Sequence, residues 1–287
     1  MKSRDLQKIQ EKCDWETQPT LIKRLSGGDI NDVFLIQYKE ESIVVKKNEE
    51  QRFPKMLAKE YSALQFLADN TPIRYPKVKS AFEADGFQYL LMEYIAPGEN
   101  TEKGQLNLGR LLAREHRVTN PDFGWEEDNY IGSLPQINEF KNKWSDFYAE
   151  CRLLFQTKMA FDNRLVDSAF VTKMESFCYR LTDIFPEEKP ALLHGDLWGG
   201  NYFFDKTDDP ILYDPAVYFG HREVDIAMTR LFGGFSEAFY KAYNEEYPME
   251  KGWEKRIEFG QLYPNMVHLN LFGPAYLSAV TSVINSF

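Results

Sequence analysis

Hydrophobic positions in the first third of the chain follow the patterns of short strands and one helix. Two β-rich runs, residues 32–38 and 42–46, are separated by a polar turn, which predicts two strands. Apolar residues then recur at helical spacing, which predicts a helix over residues 55–69. A third apolar run of strand length, residues 87–95, ends at an Ala-Pro-Gly sequence that we interpret as a linker.

Beyond the linker, the spacing of apolar residues changes to that of longer helices. Residues 191–220 interrupt it with two short strand-like runs, after which helical spacing resumes, and Gly273-Pro274 is predicted to break the last helix. Two helical faces are predicted from apolar side chains: Phe147, Cys151, Leu154 and Phe155 on the first, and Val166, Phe170, Met174, Phe177, Leu181 and Ile184 on the second.

These two patterns predict an α+β fold with two lobes. Residues 1–95 would form a small β-rich lobe with one main helix, and residues 96–287 a larger, mainly helical lobe. We expect a ligand site in a cleft between two such lobes. One residue fits the pattern poorly: in a predicted helix over residues 106–118, the leucine face also includes Glu115, so either the helix is rotated or Glu115 has a polar partner.

Charge and composition narrow the classes of function. The chain of 287 residues has 43% hydrophobic and 27% charged residues, as is typical of globular proteins, and a formal net charge of −10. An acidic protein is poorly suited to bind nucleic acid non-specifically or to dock on anionic membranes, because both surfaces attract positive charge. We therefore expect neither nucleic acid nor a membrane as a partner.

The cysteines and the N-terminal residues favour a cytoplasmic protein. Cys13, Cys151 and Cys178 are widely spaced and form no CxxC pair, which argues against a disulfide framework or a structural zinc site. The basic residues at the N-terminus are not followed by the apolar core of a signal peptide, and no apolar run approaches the length of a membrane span. A reducing compartment fits these features best.

Two segments, LLHGDLWGGN and ILYDPAVYFG, contain the candidate catalytic residues. Asp196 is followed by Asn201 five positions on and by Asp214 eighteen positions on. The kinase signature HRDxxxxN followed by DFG has the same spacing from Asp to Asn. Phosphoryl transfer requires an acceptor hydroxyl directed at the γ-phosphorus and neutralisation of phosphate charge. We therefore predict Asp196 as the catalytic base, and Asn201 and Asp214 as oxygen ligands of Mg²⁺.

Each of these residues also has a purely structural interpretation. His-Gly-Asp is compatible with a turn in which Asp196 caps a backbone amide, and an Asp before a Pro, as at Asp214, is frequent in turns. Both segments, however, are flanked by apolar runs, at residues 191–193 and 211–213. Taken together, the two segments favour phosphotransfer, with ATP and Mg²⁺ as cofactors.

The first predicted lobe contains candidates for the phosphate-binding pair of a kinase, which is usually a strand lysine held by a helix glutamate. The strand ESIVVKK offers Lys46 or Lys47. Lys46 ends the apolar run, as in the VAIK motif, so we select it, with Glu60 on the following helix as its partner. A solvated surface ion pair is the alternative for any such Lys–Glu combination.

Two further segments are candidates for contacts with ATP. Gly27 and Gly28 precede the first strand pair and would let backbone amides approach phosphates closely, although two adjacent glycines are most often a simple turn. The apolar run before the linker would form the hinge. There, backbone groups of Glu93 and Ile95 would bond to adenine, with Met92 beside the base.

Asp225 lies near the start of a predicted helix in the segment HREVDIAMTR. We hypothesise that its carboxylate holds the catalytic loop by accepting backbone hydrogen bonds. The alternative is an ordinary carboxylate in the first turn of a helix, where the helix dipole favours negative charge.

Several segments resemble the fructosamine kinase (ketosamine 3-kinase) family: HGDLWGGN, DPAVYFGHRE, DIAMT, FGWEEDNYIGSLPQ and FYAECRL. The resemblance extends over nearly the whole chain, and HGDLWxGN is more specific than the HGD that related kinases share. The family belongs with the aminoglycoside and choline kinases in the protein-kinase-like fold. The resemblance implies ATP-dependent phosphorylation of the 3-hydroxyl of ketosamines, which are fructosamine, ribulosamine or erythrulosamine adducts on amines. The product decomposes and frees the amine, which is deglycation.

The resemblance also implies roles for individual residues. It makes Asp196 the base, Asn201 and Asp214 the ligands of Mg²⁺, and Lys46 with Glu60 the phosphate clamp. Each of these assignments agrees with the one made from the residues alone.

Three residues are candidates for contact with the acceptor. Trp198 distinguishes this family from its relatives, and we hypothesise that its indole lies against the sugar, because aromatic rings pack well on carbohydrate C–H faces. A core tryptophan beside the catalytic loop is the alternative. His221 and Glu223 are further candidates for the substrate pocket; alternatively, they hold the loop that follows Asp214.

Two other functions compete with a ketosamine kinase. A kinase for an aminoglycoside or an amino alcohol such as choline would suit an acidic protein, but Trp198 and residues 123–136 favour the ketosamine. A non-catalytic nucleotide-binding module would be expected to lack at least one of the key residues, all of which are present: Lys46, Asp196, Asn201 and Asp214.

Overall fold

The computed structural model describes residues 1–25 and 30–286. Packing divides the chain into two compact units, each made of two segments. The first unit consists of Met1–Glu99 and Phe203–Tyr213, and the second of Asn100–Tyr202 and Asp214–Phe287. The first unit is built around a sheet and the second is mainly helical, which confirms the predicted α+β class.

A five-stranded antiparallel sheet dominates the first unit, in the order β1-β2-β3-β5-β4. Its elements are α1 (Ser3–Lys12), β1 (Thr20–Arg24), β2 (Asp32–Tyr38), β3 (Glu41–Glu49), α2 (Met56–Asn70), β4 (Val78–Ala84) and β5 (Phe87–Glu93). The predicted strands at residues 32–38 and 42–46 and the helix at residues 55–69 are confirmed. The predicted strand at 87–95 ends two residues early, at Glu93.

The two faces of this sheet pack on different helices. Alternation along β3 and β5 directs Ile43, Val45 and Leu91 to one face, where they form a buried cluster with Ile9 of α1. Lys46, Asn48 and Gln88 point to the opposite face, where Gln88 bonds to the backbone of α2. The neighbouring residues Lys46 and Lys47 therefore lie on opposite faces of the sheet.

The remaining elements alternate short strands with helices, and these, in chain order, are α3 (Glu102–Glu115), β6 (Asn129–Ile131), β7 (Leu134–Gln136), α4 (Trp144–Phe147), a π-helical segment (Tyr148–Leu154), α5 (Phe155–Asp162), α6 (Ser168–Cys178), β8 (Ala191–Leu193), β9 (Tyr202–Phe204), β10 (Pro210–Leu212), β11 (Tyr218–Gly220), α7 (Glu223–Leu231), α8 (Glu237–Glu246), α9 (Ile257–Gly260), α10 (Leu262–Phe272) and α11 (Leu277–Asn285). Strands β6 and β7 pair with each other, as do β9 with β10 and β8 with β11. Helix α10 ends before Gly273-Pro274, as predicted.

The segment 203–213 packs with the first unit, although the sequence pattern assigned it to the second lobe. The Leu212 amide donates to the Arg74 carbonyl oxygen at 3.1 Å, and the Gly98 amide donates to the Phe204 carbonyl oxygen at 2.6 Å. A Cβ on Gly98 would lie 2.3 Å from the Asp205 carbonyl oxygen, so only glycine permits this approach. Local patterns miss such pairing because its partners are far apart in sequence.

Helix α3 resolves the question raised by Glu115. The helix is not rotated, because Glu115 is fully buried on the same side as Leu108 and Leu112. It begins four residues earlier than predicted, after Thr101, whose hydroxyl accepts a hydrogen bond from the Gly104 amide at 3.0 Å. It also ends earlier, at Glu115 rather than at residue 118.

The six apolar positions predicted for one long helix are all buried, from Val166 to Ile184, but they do not lie in one helix. Helix α6 ends at Cys178, and Leu181 begins a short 3₁₀ turn. The prediction was wrong in length because a 3₁₀ turn repeats every three residues and so continues the apolar spacing of the helix.

Within the described parts of the chain, none of the helices has both the length and the apolar character that crossing a membrane requires.

Candidate active site

The loop between β8 and β9 carries Asp196 in a tight turn. Gly195 has a φ of +80°, and a Cβ there would lie 2.0 Å from the Ala216 carbonyl oxygen, so the residue before Asp196 must be glycine. Asp225 of α7 holds this loop: its Oδ2 accepts the His194 amide at 2.8 Å, and its Oδ1 accepts the Gly195 amide at 3.0 Å. The predicted backbone hydrogen bonds between Asp225 and the loop that carries Asp196 are confirmed.

A buried histidine, His116, supports Asp225 from the position just after the end of α3. His116 Nε2 lies 3.4 Å from Asp225 Oδ2, and His116 Nδ1 lies 2.7 Å from the hydroxyl of Tyr243. Burial lowers the pKa of His116, which keeps the imidazole neutral at neutral pH. The loop is therefore held in place by a connected polar network from α3, α7 and α8.

Asp196 and Asn201 are in direct contact. The Asn201 side-chain amide donates to the Asp196 carbonyl oxygen at 2.8 Å and to Asp196 Oδ2 at 3.1 Å. Burial raises the pKa of Asp196 to about 7; the hydrogen bond from Asn201 lowers it, and the charges of Asp214 and Asp225 raise it further. A carboxylate with a pKa near the working pH is well suited to act as a general base.

Asp214 follows β10 with a φ of +57°, a left-handed conformation that non-glycine residues rarely adopt and that is enriched at functional sites. Its charge acts on Asp196. The described residues contain no cluster of three or more His, Cys, Asp or Glu that would hold a metal unaided. Mg²⁺ is commonly held by only one or two carboxylates, with waters and substrate phosphates completing the shell. A carboxylate at Asp214 and an amide oxygen at Asn201, close to a second negative charge, fit that kind of site.

A small recess beside Asp196 is lined mainly by apolar side chains of the second unit. Besides Asp196, the lining residues are Ile131, Gly195, Val224, Met228, Tyr263 and Pro264. One wall is fixed by hydrogen bonds, because the Tyr263 hydroxyl donates to Gln136 Oε1 at 2.8 Å and Gln136 Nε2 donates to the Ala216 carbonyl oxygen at 3.0 Å. The recess has room for about one water molecule, so it gives the predicted base an apolar wall and not a pocket for a whole acceptor.

Sequence reasoning missed this lining. Its residues come from β6, α7 and α10, which are separated along the chain from the Asp196 loop. The one available signal was the segment FGWEEDNYIGSLPQ, which includes Ile131 and Gln136 and resembles the family. No local pattern distinguishes Tyr263 from the other buried aromatic residues.

Trp198 lies at the surface of the loop that carries Asp196, not in the core. Its side chain is 38% exposed, and its ring occupies the space that a Cβ on Gly200 would need. The indole also meets Phe232 edge-on, with 6.0 Å between ring centroids. Exposure of this ring favours the acceptor-contact interpretation over a core tryptophan.

His221 and Glu223 lie in the framework of the second unit. His221 is fully buried, with Nε2 at 3.1 Å from the Pro186 carbonyl oxygen. Glu223 is buried in an ion pair with Arg256, whose Nε lies 2.7 Å from Glu223 Oε2. Both side chains are therefore engaged by the protein itself. The structure corrects their assignment to a substrate pocket in favour of the alternative, that they support the chain after Asp214.

The lysine selected for phosphate binding is paired as expected. Lys46 Nζ lies 2.5 Å from Glu60 Oε1, and both side chains are largely buried, so this is not a solvated surface pair. Lys47, on the opposite face, lies 2.7 Å from Asp5 Oδ1 of α1. Tyr89 donates to the same oxygen at 2.8 Å. Alternation along β3 thus gives the two neighbouring lysines separate partners.

Gly27 and Gly28 lie outside the described residues. Asn31, just beyond them, belongs to a polar chain that crosses the sheet. Asn48 Nδ2 donates to Asn31 Oδ1 at 2.9 Å, and Gln88 Nε2 donates to Asn48 Oδ1 at 2.9 Å. Gln88 Oε1 in turn accepts the Leu57 amide at 3.2 Å, which connects this chain to the first turn of α2.

The predicted hinge follows the end of β5. The Glu93 amide already donates to the Lys77 carbonyl oxygen at 2.9 Å, so only the carbonyl oxygen of Glu93 is available for the predicted contact with adenine. Met92 is buried in the sheet and Ile95 is half-buried just beyond it. The adenine contacts of Met92, Glu93 and Ile95 stay a prediction.

Comparison with known proteins decides the family. A family model described as fructosamine kinase matches residues 1–287. The chain belongs to the fructosamine kinase family. Members of this family are kinases that transfer phosphate from ATP, which confirms the predicted class of enzyme, an ATP-dependent phosphotransferase.

Curated relatives in this family cover most of the chain. A chloroplastic protein-ribulosamine 3-kinase of Arabidopsis thaliana is 39% identical over 276 residues, which are 94% of this chain and 83% of the relative. A probable ketoamine kinase of Enterococcus faecium is 37% identical over 265 residues, which are 91% of this chain and 93% of the relative.

Solved structures support the same assignment of fold. A candidate fructosamine-3-kinase from Thermobifida fusca superposes with a TM-score of 0.88 at 28% identity, covering 100% of this chain and 99% of that one. An aminoglycoside phosphotransferase in complex with AMP-PNP and hygromycin B has a TM-score of 0.69 at 16% identity, covering 99% of each chain. At that identity the likeness concerns the fold alone. The predicted protein-kinase-like fold of this chain is confirmed.

Proposed function

We propose that the protein phosphorylates the 3-hydroxyl of ketosamines, using ATP and Mg²⁺, and thereby acts in deglycation. The observation that carries the proposal is Asp196, a carboxylate with a pKa near 7 that borders an apolar recess and has the exposed Trp198 two positions away. The names of the curated relatives, protein-ribulosamine 3-kinase and ketoamine kinase, support this class of acceptor.

Asp196 would act as the general base. Its carboxylate accepts the proton of the 3-hydroxyl while the hydroxyl oxygen bonds to the γ-phosphorus of ATP; the bond between that phosphorus and the bridging oxygen breaks, and ADP leaves. The hydrogen bond from Asn201 to Asp196 Oδ2 fixes the orientation of the carboxylate.

The remaining roles follow from charge and position. Lys46, held by Glu60, would bind the α- and β-phosphates, and amides at Gly27 and Gly28 would contact phosphate oxygens. Asp214 and Asn201 would hold Mg²⁺, whose chemistry is to neutralise charge on the phosphates. Met92, Glu93 and Ile95 would surround adenine. Trp198 would pack against the sugar.

The proposed cellular role follows from the product. A ketosamine phosphorylated at its third carbon is unstable and decomposes, so the amine that carried the sugar is regenerated. Cys13, Cys151 and Cys178 are free thiols, and the pKa of each is raised by burial, which disfavours reactive thiolates. We place the enzyme in the cytoplasm, where such thiols stay reduced.

An acceptor panel tests the proposal. Ribulose-, erythrulose- and fructose-derived lysine adducts and several aminoglycosides are incubated with ATP and Mg²⁺, and ADP release and phosphorylation of the acceptor are measured. We expect turnover of at least one ketosamine, with the phosphate on the third carbon. Turnover of an aminoglycoside without turnover of any ketosamine would overturn the proposal. A resolved preference among the three adducts would identify the sugar.

A further inference from the structure

The chain just after Asp214 is held through its backbone by residues 124–136. Asp214 has a left-handed φ of +57°, and such a conformation persists only where the surrounding structure fixes it. Four backbone groups of residues 216–219 are bonded to that segment. Gln136 Nε2 donates to the Ala216 carbonyl oxygen at 3.0 Å, Asn129 Nδ2 donates to the Val217 carbonyl oxygen at 2.8 Å, and Gly124 and Phe219 exchange two amide-to-carbonyl bonds of 2.8 and 2.9 Å.

The same backbone lies directly against the turn that carries Asp196. The Ala216 amide donates to the His194 carbonyl oxygen at 2.9 Å. A Cβ on Gly195 would lie 2.0 Å from the Ala216 carbonyl oxygen, so the two segments touch without room for a methyl group. The placement of Ala216 therefore sets how Asp214 stands relative to Asp196.

Three side-chain amides join these bonds into one network: those of Asn129, Gln136 and Asn138. Besides its bond to the Ala216 carbonyl, Gln136 Nε2 donates to Asn129 Oδ1 at 2.8 Å, and Asn138 Nδ2 donates to the same oxygen at 2.9 Å. The two bonds occupy both lone pairs of Asn129 Oδ1, so its amide nitrogen is directed at the Val217 carbonyl. Asn138 Oδ1 in turn accepts a bond of 2.8 Å from Arg152 Nη2.

Arg152 is fully buried in the π-helical segment of the second unit. Its Nη1 donates to the carbonyl oxygens of Ile137 and Cys151, so within the described residues its hydrogen bonds go to uncharged oxygens. The guanidinium also lies over two aromatic rings, 4.1 Å from the centroid of Tyr218 and 5.1 Å from that of Tyr263. A buried cation without a carboxylate partner is costly, and π-helical turns are frequent at functional sites. These features favour a role for Arg152 beyond stability.

We propose that Arg152 is a positioning residue for phosphoryl transfer: through the three amides it fixes the backbone after Asp214 against the turn that carries Asp196. The inference rests on the proposed roles of these two carboxylates. Both act on the same transferred group, and a displacement of about 1 Å between reacting groups can lower the rate by up to 10²-fold. The inference also assigns a common role to two segments that resemble the family, since FGWEEDNYIGSLPQ contains Asn129 and Gln136 and FYAECRL contains Arg152.

Asn129→Ala is the first test, because Asn129 is half-buried and water can replace its lost bonds. With the ketosamine that the enzyme accepts, we expect kcat to fall by about tenfold, the effect of losing one positioning hydrogen bond, while the KM of ATP and of the acceptor stay at wild-type values. Hydrogen exchange at the Ala216 amide, measured by NMR, should become about tenfold faster, because this amide bonds to the turn that carries Asp196.

Asn270→Ala is the matched control. Asn270 is also half-buried in the second unit, and its Nδ2 donates to a backbone carbonyl oxygen, that of Gln156, at 3.0 Å. This variant should lower the Tm about as much as Asn129→Ala does, with wild-type kcat and wild-type exchange at Ala216. A lower Tm for Asn129→Ala with kcat or exchange at Ala216 unchanged would overturn the inference, because it would leave the network a structural role only.

A double-mutant cycle tests the connection from Arg152 to Asn129. Arg152→Met alone should lower kcat at least as much as Asn129→Ala, and the double variant should match Arg152→Met, because both changes interrupt one network. Additive losses would overturn the connection. Arg152→Lys, which lacks the planar fork, takes its place in the cycle if Arg152→Met does not fold. Turnover of another acceptor in place of any ketosamine would refute the proposed function, and the kcat for that acceptor together with the exchange rates would then decide this inference.

Discussion

The sheet of the first unit and the surroundings of Asp196 in the second unit arrange their buried charges in opposite ways. In the first unit, opposite charges are paired, Lys46 with Glu60 and Lys47 with Asp5. Around Asp196, like charges are gathered: burial and the carboxylates of Asp214 and Asp225 raise the pKa of Asp196 to about 7. The first arrangement stabilises the protein without a ligand. The second is destabilised until a cation or a proton arrives, which is typical of a functional site.

Two kinds of charged residue, partners in a buried ion pair and carboxylates crowded by like charges, look alike in a sequence motif but should respond differently to substitution. Removing one partner of a buried ion pair leaves an uncompensated charge and destabilises the fold. Removing a crowded carboxylate relieves repulsion, so the loss appears in the reaction and not in stability. Variants in the two units should therefore change activity and stability in different combinations.

The largest effect is expected for Asp196→Asn. The neutral amide cannot accept the proton of the acceptor hydroxyl, so kcat should fall by about 10²–10⁴-fold, the usual contribution of a general base. ATP affinity, measured by calorimetry, should change little. Asp162→Asn is the control, because Asp162 is an exposed carboxylate on α5 that pairs with Lys158, and it should retain full activity. A wild-type kcat in Asp196→Asn would refute the assignment of the base.

A comparison of Lys46→Met with Lys47→Met tests the first unit. Each variant leaves a buried carboxylate without its lysine, so each should lower the free energy of unfolding by about 3–5 kcal/mol. Only Lys46→Met should also weaken ATP binding, because Lys47 faces α1 on the other side of the sheet. Chemical denaturation and ATP titration measure the two effects. Equal loss of ATP affinity in both variants would show that the lysine at 46 has no specific role.

The pH dependence of stability should have opposite signs for a paired and a crowded carboxylate. Burial alone would raise the pKa of Glu188, but hydrogen bonds and charge from Arg222 bring it below the usual range. The pair therefore stabilises the fold above the pKa of the unfolded chain and is lost as pH falls through the lower, folded pKa. At pH 7, Glu188→Gln should lower the Tm, and the gap to wild type should close towards pH 3.

The pH dependence expected for Asp196 has the opposite sign to that for Glu188. Its folded pKa of about 7 lies above that of the unfolded chain, so its ionisation destabilises the fold as pH rises. In the absence of metal, Asp196→Asn should raise the Tm above pH 7, and this gain should vanish as pH falls towards 4. Thermal melting of the metal-free variants across this range measures both gaps. A lower Tm for Asp196→Asn than for wild type at pH 8 would contradict the view that ionised Asp196 destabilises the fold.

The sequence predicted contacts correctly where the residues lie in one motif or in neighbouring elements. The five-residue spacing of Asp196 and Asn201 predicted their proximity because both lie in one loop, and they are in contact. The position of Lys46 at the end of the apolar run, as in the VAIK motif, selected it over Lys47, and the structure pairs Lys46 with Glu60 as predicted. In each case the geometry is set within one or two neighbouring elements, which is the range over which sequence periodicity is informative.

Long-range packing accounts for what was missed. Nearness to Asp214 in sequence suggested that His221 and Glu223 face the substrate, but β11 intervenes, and Arg256, 33 residues later, pairs with Glu223. Tyr263, which lines the recess, comes from a helix with no motif of its own. The return of residues 203–213 to the first unit depends on backbone pairing with Arg74, and no side-chain pattern encodes such a contact.

The smallest effect is expected for Asn48→Ala, which interrupts the polar chain from Asn31 through Gln88 to the first turn of α2. The loss of a hydrogen bond worth about 1 kcal/mol between the predicted phosphate loop and the helix that carries Glu60 should raise the KM of ATP by about fivefold. Leaving Gln88 without this partner should also lower the free energy of unfolding by about 1–3 kcal/mol. Asn70→Ala is the matched control, because Asn70 is an exposed asparagine at the other end of α2.

Hydrogen exchange distinguishes a positioning role for Asn48 from a purely structural one. Positioning predicts faster exchange at the amides of both residues 30–34 and residues 56–60, together with the higher KM of ATP, because the chain joins these two segments. A structural role predicts a lower Tm with an unchanged KM of ATP. That second result would show that the first unit keeps its phosphate-binding geometry through the Lys46–Glu60 pair alone, and that its polar network serves stability.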